Sequence, residues 1–187
     1  MKRSSFLMFP FVAAPLILEA HKTNTNPPKK GFKVDAGKDR FDNNNSHSIT
    51  GGAARGDCKV SSSDTEGAFY IMEGFRNTKG GPRLHLHHNE DEWLYIMEGE
   101  YRAKVGEDIF DLKPGDSVFM PRKVPHQFKN LNDSPGRVII AFQPAGKMEA
   151  FFQAISKLAS VKLTEEENNK LAQDYGMQNI GPRSNDY

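Results

Sequence analysis

Short runs of alternating hydrophobic and polar residues fill the chain between Phe32 and Gln143. Such alternation is typical of strands with one buried face, and Gly, Pro, Asn and Asp separate the runs at short intervals. No helix-length periodic segment interrupts them, which argues against a parallel α/β sheet. We therefore predict an all-β barrel or double-sheet sandwich over residues 32–146. The predicted strands are Cys58–Ser62, Ala68–Gly74, Arg83–His88, Glu92–Glu98, Tyr101–Val105, Asp108–Leu112, Ser117–Met120, His126–Lys129 and Arg137–Phe142.

A helical extension is predicted for residues 147–187. One helix over Met148–Leu158 gathers its large apolar side chains on one stripe: Phe151, Phe152, Ile155 and Leu158. A second helix begins at Thr164, because Thr164-x-x-Glu167 is a capping box, and Gly176 is well placed to end it. Both helices are interpreted as packing elements without chemistry of their own.

The N-terminal residues 1–20 differ from the rest of the chain. Lys2 and Arg3 precede an apolar run over residues 6–18. This pattern is typical of an export signal and is too short for a stable membrane span, so we expect a periplasmic or extracellular protein. The alternatives are a cytoplasmic protein and an N-terminal arm that packs on the body or on a partner. Residues 21–31 form a polar, proline-containing linker.

Charge and cysteine content narrow the possible functions. Lys plus Arg number 25 and Asp plus Glu number 24, so the formal charge of +1 predicts no nucleic-acid partner. The single cysteine excludes an internal disulfide framework and every CxxC-type metal site. The six histidines are therefore where metal chemistry would occur. His21 and His47 lie in polar loops, and we assign them no role.

A histidine cluster carries the candidate chemistry. His85 and His87 lie two apart on one predicted strand and share a face, about 7 Å apart, whereas His88 points the other way. Glu92 follows a turn-like break, and His126 lies on a later strand. Three imidazoles and one carboxylate suit a divalent transition metal (Fe, Mn, Ni, Co, Cu or Zn) with positions left for a substrate or dioxygen.

The same stretch resembles the paired motifs of the cupin superfamily. The first motif is matched by His85-x-His87, four residues, Glu92, six residues and Gly99, although Gly80 lies one residue nearer the first histidine than the motif requires. The second motif has lysine in place of one glycine, and its positions fall on Gly115, Pro121, Lys123, His126 and Asn130.

The cupin motifs cover residues 80–130, and the strand pattern extends the resemblance to about 32–146. It implies a double-stranded β-helix (jelly roll) with metal ligands at His85, His87, Glu92 and His126. The replacement of the motif glycine by Lys123 affects the geometry of a turn and none of the metal ligands. Asn130 is expected to fix a turn through side-chain hydrogen bonds to the backbone.

Within the superfamily the chain looks most similar to small quercetin 2,3-dioxygenase-like cupins. That resemblance implies a dioxygenase acting on a small aromatic or polyhydroxylated compound, such as a flavonol, with Glu92 as the catalytic base. Leu94, Ile96 and Phe128 would shape the substrate pocket. Two alternatives remain open: a non-catalytic cupin that binds a sugar or small acid, and a metal-dependent isomerase or lyase for a sugar or keto acid.

If the histidines face inward, neighbouring apolar rows face outward and need a cover. The cover could be an N-terminal strand, the C-terminal helices or a second subunit, and we expect a homodimer. The outward residues are Leu84, Leu86, Trp93, Tyr95 and Met97. The remaining acidic residues of this region are interpreted as solvated charges: Glu90, Asp91, Glu98 and Glu100.

Overall fold

The computed structural model describes residues 30–41, 47–49 and 54–181 of the chain. The predicted export signal (1–20), most of the linker (21–31) and His21 lie outside these residues, as does the side chain of His47. Among the residues described, no helix is long and apolar enough to cross a membrane.

Strands dominate the described chain, and two helices follow them. The strands are β1 (His47–Ile49), β2 (Ala54–Val60), β3 (Tyr70–Arg76), β4 (His85–His87), β5 (Asp91–Glu98), β6 (Tyr101–Val105), β7 (Asp108–Leu112), β8 (Ser117–Met120), β9 (His126–Asn130), β10 (Gly136–Gln143) and β11 (Met177–Asn179). The helices are α1 (Met148–Lys157) and α2 (Glu165–Asp174).

The strands form two sheets in which every pairing is antiparallel. The first sheet has the order β1-β2-β3-β10-β5-β8, and the second has the order β11-β4-β9-β6-β7. Strands that are distant in sequence are neighbours in both sheets, as β10 with β3 and β4 with β9 show. This is the jelly roll with C-terminal helices that the sequence predicts.

The core lies between the inner faces of the two sheets. Burial alternates along β10, where Val138, Ile140 and Phe142 are buried. Leu94 and Ile96 of β5 are fully buried in the same cluster. Each large apolar side chain removed from water contributes about 1.5–3 kcal/mol, so this alternation is sufficient to hold the sheets face to face.

The C-terminal helices follow the sequence signals closely. Thr164 is the N-cap of α2, and its hydroxyl accepts a hydrogen bond from the Glu167 amide at 3.2 Å. The Glu167 carboxylate in turn accepts from the Thr164 amide at 2.8 Å, which completes the predicted capping box. Gly176 follows the C-cap with φ +82°.

Several strand assignments differ from the prediction. β1 was not predicted, since His47 was placed in a loop, and β3 lies two residues further along the chain than the predicted Ala68–Gly74. β2 runs from Ala54 to Val60, and Ser62 begins a 3₁₀ turn because the Ser61 hydroxyl caps the turn by accepting from the Ser63 amide. β11 was not predicted at all. It is three residues long, too short to show alternation, and it is held by pairing with β4.

Candidate metal centre

The two sheets bring four side chains to one point between them. β4 carries His85 and His87, and β9 carries His126, whose Cα lies directly opposite that of His85. β5 of the other sheet supplies Glu92. One ligand atom from each of the four residues lies within 4.8 Å of the others, and all four residues are buried. The convergence that the spacing predicts is therefore present, whereas the role of these residues as ligands stays a prediction.

This donor set fits a divalent transition metal. Ligands at about 2.1 Å from one ion lie at most about 4.2 Å apart, so a shift of a few tenths of an ångström would close the site. Imidazole and carboxylate donors together suit several first-row ions, and the cluster does not distinguish among them.

Backbone carbonyls fix the ring orientation of two histidines. The Nδ1–H group of His85 donates to the carbonyl of Arg83 at 2.7 Å, and that of His126 donates to the carbonyl of Val124 at 2.8 Å. Because a carbonyl can only accept, both rings carry a proton on Nδ1. Their Nε2 atoms are thereby directed to the interior of the cluster, where a metal would bind.

Burial and mutual contact shift the pKa values within the cluster. Burial, followed by the charges of His126 and His87, lowers the pKa of His85 to about 3, so this ring is neutral. Burial alone would raise the pKa of Glu92, but hydrogen bonds from His126 and His87, each 3.2 Å long, outweigh it and hold the pKa well below its usual range. Glu92 is therefore ionised.

His126 shows the opposite shift. Burial would lower its pKa, but the hydrogen bond to Glu92 and the negative charge of that carboxylate raise the pKa above its usual value. Nε2 of His126 lies 3.2 Å from the Glu92 carboxylate, so the two form an ion pair when His126 is protonated. A metal bound to Nε2 of His126 would replace the proton there, so metal uptake at this site is accompanied by proton release.

The turns around the site explain two further motif positions. Lys123 stands where the cupin motif has glycine, and it adopts φ +65°, the left-handed conformation that glycine favours. Its amide donates to the carbonyl of His87 at 2.7 Å, which ties this turn to β4. Asn130 accepts from the Asn132 amide and donates to the carbonyl of Ser134, as expected.

The interpretation of the nearby acidic residues needs correction. Glu90 is 1% exposed, and one carboxylate oxygen lies 3.9 Å from Nδ1 of His87. Asp91 is half-buried and forms a bidentate pair with Arg122, at 3.0 and 2.6 Å. Both were expected to be solvated and are not, because the turn before β5 folds inward. Of the others, Glu98 and Glu100 are exposed, as is His88 on the opposite face of its strand.

A cavity of about 550 Å³ opens directly on the metal centre. His85 and Glu92 form part of its wall, and most of the other lining residues are apolar. Phe128 lines it, as predicted, but Leu94 and Ile96 do not, because they fill the core between the sheets instead.

The C-terminal helices supply much of the cavity wall. Phe151 and Phe152 of α1 and Leu171 of α2 line it, as do the residues that join the two helices. The sequence pattern indicates that the helices are packing elements, and their place in the cavity wall adds to that role. Their apolar stripe was visible in the sequence, but nothing in the sequence showed that it faces the cavity.

Fold and site together define a jelly-roll protein with a candidate histidine–carboxylate metal centre. Residues 77–142 match the family model described as Cupin domain. The match covers about a third of the chain, and it makes this segment of the two-sheet fold similar to cupin domains.

The similar proteins cover only parts of the chain. An uncharacterized protein of Methanocaldococcus jannaschii is 31% identical over 61 residues, which are 33% of this chain and 49% of that protein. The polyketide synthase CurC of Streptomyces cyaneus is 26% identical over 82 residues, 43% of this chain and 53% of that protein. The chain thus spans about half the length of these curated relatives.

Solved structures of similar shape include an RmlC-like cupin from Shewanella frigidimarina. It is 21% identical, with a TM-score of 0.48 over 64% of this chain and 96% of that one. KdgF from a Halomonas species is 17% identical, with a TM-score of 0.45 over 49% of this chain and 79% of that one.

Proposed function

We propose that the protein is a metal-dependent dioxygenase for a small aromatic or polyhydroxylated compound, in the manner of quercetinases. The apolar cavity that opens on His85 and Glu92 is the observation that carries this proposal. The four clustered side chains would hold the metal: His85, His87, Glu92 and His126. Such an ion, when bound, supplies a centre at which dioxygen and an oxidisable substrate can react.

The lining of the cavity favours an aromatic substrate. A volume of about 550 Å³ is within the range of small-molecule sites, and the rings of Phe128, Phe151 and Phe152 offer faces for a planar ring system. A sugar would need many hydrogen-bond partners, because burying an unpaired hydroxyl costs on the order of 1–3 kcal/mol. The mostly apolar wall favours an aromatic compound, and its polar side chains, among them Arg55, Arg76 and Arg83, can pair with hydroxyl groups on that compound.

Glu92 is the candidate proton acceptor. It lies on the cavity wall, and as a ligand of the ion its carboxylate would be deprotonated. An ionised carboxylate beside the substrate can accept the proton of a phenolic or enolic hydroxyl. Glu92 is 2% exposed, so bulk water has little access to its carboxylate.

A second candidate is an oxygen-independent conversion of a similar substrate, as a metal-dependent lyase or isomerase. The buried histidine–carboxylate cluster favours keeping it, because a divalent ion held there could also act as a Lewis acid without oxygen. The two candidates share the metal centre and the cavity and differ in whether dioxygen is consumed.

Oxygen consumption separates the candidates. Protein stripped with a chelator and reloaded with Fe, Mn, Ni, Co or Cu is offered a panel of flavonols in an oxygen electrode, and products are analysed by mass spectrometry under ¹⁸O₂. The dioxygenase proposal requires metal-dependent oxygen uptake and two labelled oxygen atoms in the product. Conversion without oxygen uptake would support the second candidate, and binding without any conversion would support a non-catalytic cupin.

Two tryptophan substitutions on α1 test the cavity. Ile155 lines the cavity, whereas Gln153 is exposed on the same helix. Ile155→Trp should therefore raise KM for the aromatic substrate and leave the metal content unchanged. Gln153→Trp, the matched control, should change neither. Equal kinetics for the two variants would place the substrate elsewhere.

We also propose a homodimer formed through the outer face of β5 and β8. Trp93, Met97 and Phe119 are 38%, 40% and 56% exposed there, and β8 is the last strand of its sheet. The edge of β8 can pair with β8 of a second copy across a twofold axis, which would cover these side chains. Leu84 and Leu86 are half-buried and are not part of this proposed interface.

Light scattering coupled to size exclusion tests the dimer. Phe119→Arg should give a monomer, because it places a charge in the proposed interface. Ile109→Arg should leave the dimer intact, because Ile109 is 53% exposed on β7, the edge strand of the other sheet. A wild-type monomer, or a dimer that Phe119→Arg does not affect, would contradict the proposal.

Export by residues 1–20 is likewise proposed. It is tested by fractionating cells that express the chain with and without these residues. Retention of the full chain in the cytoplasm would contradict it.

A further inference from the structure

His87 differs from the other two histidines of the cluster in the hydrogen bonding of its Nδ1 atom. His85 and His126 donate from Nδ1 to backbone carbonyls at 2.7 and 2.8 Å. Nδ1 of His87 is buried and has no hydrogen-bond partner among the described residues. Its nearest acidic neighbour is Oε2 of Glu90, at 3.9 Å, and that oxygen is also buried without a hydrogen-bond partner in this part of the chain.

The fold makes room for the Glu90 carboxylate at this place. Gly146 has φ +51°, and a Cβ atom built on it would lie 1.7 Å from Oε1 of Glu90. Any side chain at position 146 would therefore displace the carboxylate. Glu90 itself is 1% exposed, and a carboxylate buried to this extent is costly unless it has a partner.

We propose that Glu90 is a positioning residue for His87: its carboxylate accepts the Nδ1–H hydrogen bond of His87 when a metal occupies the centre. This inference rests on the metal centre of the proposed function and not on its oxygen chemistry. A metal on Nε2 requires the ring proton on Nδ1, and the two unpartnered atoms then form a donor and an acceptor. Closing the gap from 3.9 Å to a hydrogen-bond distance of about 2.9 Å requires a shift of about 1 Å.

Glu90 does not compete for the metal itself. It faces Nδ1, whereas Nε2 of His87 lies 3.2 Å from Glu92 on the other side of the ring. Its effect is to fix the tautomer and orientation of the ring, as backbone carbonyls do for the other two histidines. Loss of such an outer partner typically weakens metal binding 10–100-fold.

Cobalt affinity and spectra test the proposal on purified full-length protein. The Co(II) dissociation constant is measured by competition with a chromophoric chelator, together with the visible absorption spectrum of the bound ion. Glu90→Ala should weaken Co(II) binding about 10–100-fold and alter the spectrum. Glu90→Gln keeps the shape and an accepting oxygen without the charge, so it should give a smaller loss. Gly146→Ala, which displaces the carboxylate without removing it, should resemble Glu90→Ala.

Glu73→Gln is the matched control. Glu73 is a buried carboxylate, 4% exposed, that pairs with Lys59 and Arg137 away from the cluster. This variant should lower thermal stability and leave Co(II) affinity and spectrum unchanged. If Glu90→Gln folds and Glu90→Ala and Gly146→Ala bind Co(II) within twofold of wild type with the same spectrum, the inference is wrong. If the wild-type protein itself binds no Co(II), the metal centre of the proposed function fails instead.

Discussion

Phe142 links the hydrophobic core to the candidate metal centre, and its truncation has a predictable cost. The residue is 1% exposed on β10. Its ring lies 6.2 Å from that of Tyr70, 6.0 Å from that of Phe152 and 5.5 Å from that of His87, centroid to centroid. Phe142→Ala removes all three contacts, and substitutions of this kind in a core destabilise by about 3–5 kcal/mol.

The expected change in melting temperature follows from this cost. For a chain of this size 1 kcal/mol corresponds to about 2–4 °C, so Phe142→Ala should lower Tm by about 6–20 °C. Calorimetry of the metal-free protein measures the shift without a contribution from bound ion. Phe110→Ala is the matched control: Phe110 is 42% exposed on β7 and should change Tm by only about 1–2 °C. Similar shifts for the two variants would refute the core position assigned to Phe142.

Three further predictions concern the site, the free thiol and the second helix. His126→Ala should sharply lower the metal content found by elemental analysis, and His88→Ala should not; full retention in His126→Ala would contradict the ligand role. Burial raises the pKa of the Cys58 thiol far above the value of about 8.5 in an unfolded chain, so the thiol should resist alkylation at pH 8 until the protein unfolds. The stability that this pKa shift contributes is present below about pH 8.5 and is lost as the pH rises further. Urea unfolding at pH 8 and pH 10, compared between wild type and Cys58→Ala, measures this loss. Thr164→Ala removes the N-cap of α2 and should cost about 1 kcal/mol in urea unfolding; an unchanged midpoint would show that the cap contributes nothing.

The strands could be predicted from local alternation, and the convergence of the four residues could be predicted because the two segments that carry them resemble the paired cupin motifs. Two-residue periodicity fixes which face of a strand a side chain occupies, so His85 and His87 lie inward and His88 outward. The motif spacing then placed Glu92 and His126 on strands that meet them. Thr164 and Glu167 gave the start of α2 for a similar reason, since a capping box is complete within four residues.

Contacts between distant segments that lie outside the cupin motifs could not be predicted from the sequence. Glu90 lies in a turn between two polar neighbours, which is typical of a solvated charge. Its burial depends on Gly146, which lies 56 positions further along the chain and contacts it only after folding. The apolar stripe of α1 was equally visible, but only the tertiary structure shows that Phe151 and Phe152 face the cavity. β11 could not be predicted for the same reason, because its three residues form a strand only through pairing with β4.

The placement of Glu92 on one sheet and of the three histidines on the other has a mechanical consequence. An ion held by all four would cross-link the two sheets. Separating the sheets at this point would therefore require release of the ion. A molecule bound in the adjoining cavity would contact both sheets, because residues of both line it, and it would also oppose their separation. Thermodynamic linkage makes any such coupling reciprocal: if a molecule in the cavity raises the affinity of the protein for the ion, the ion raises the affinity for that molecule by the same factor.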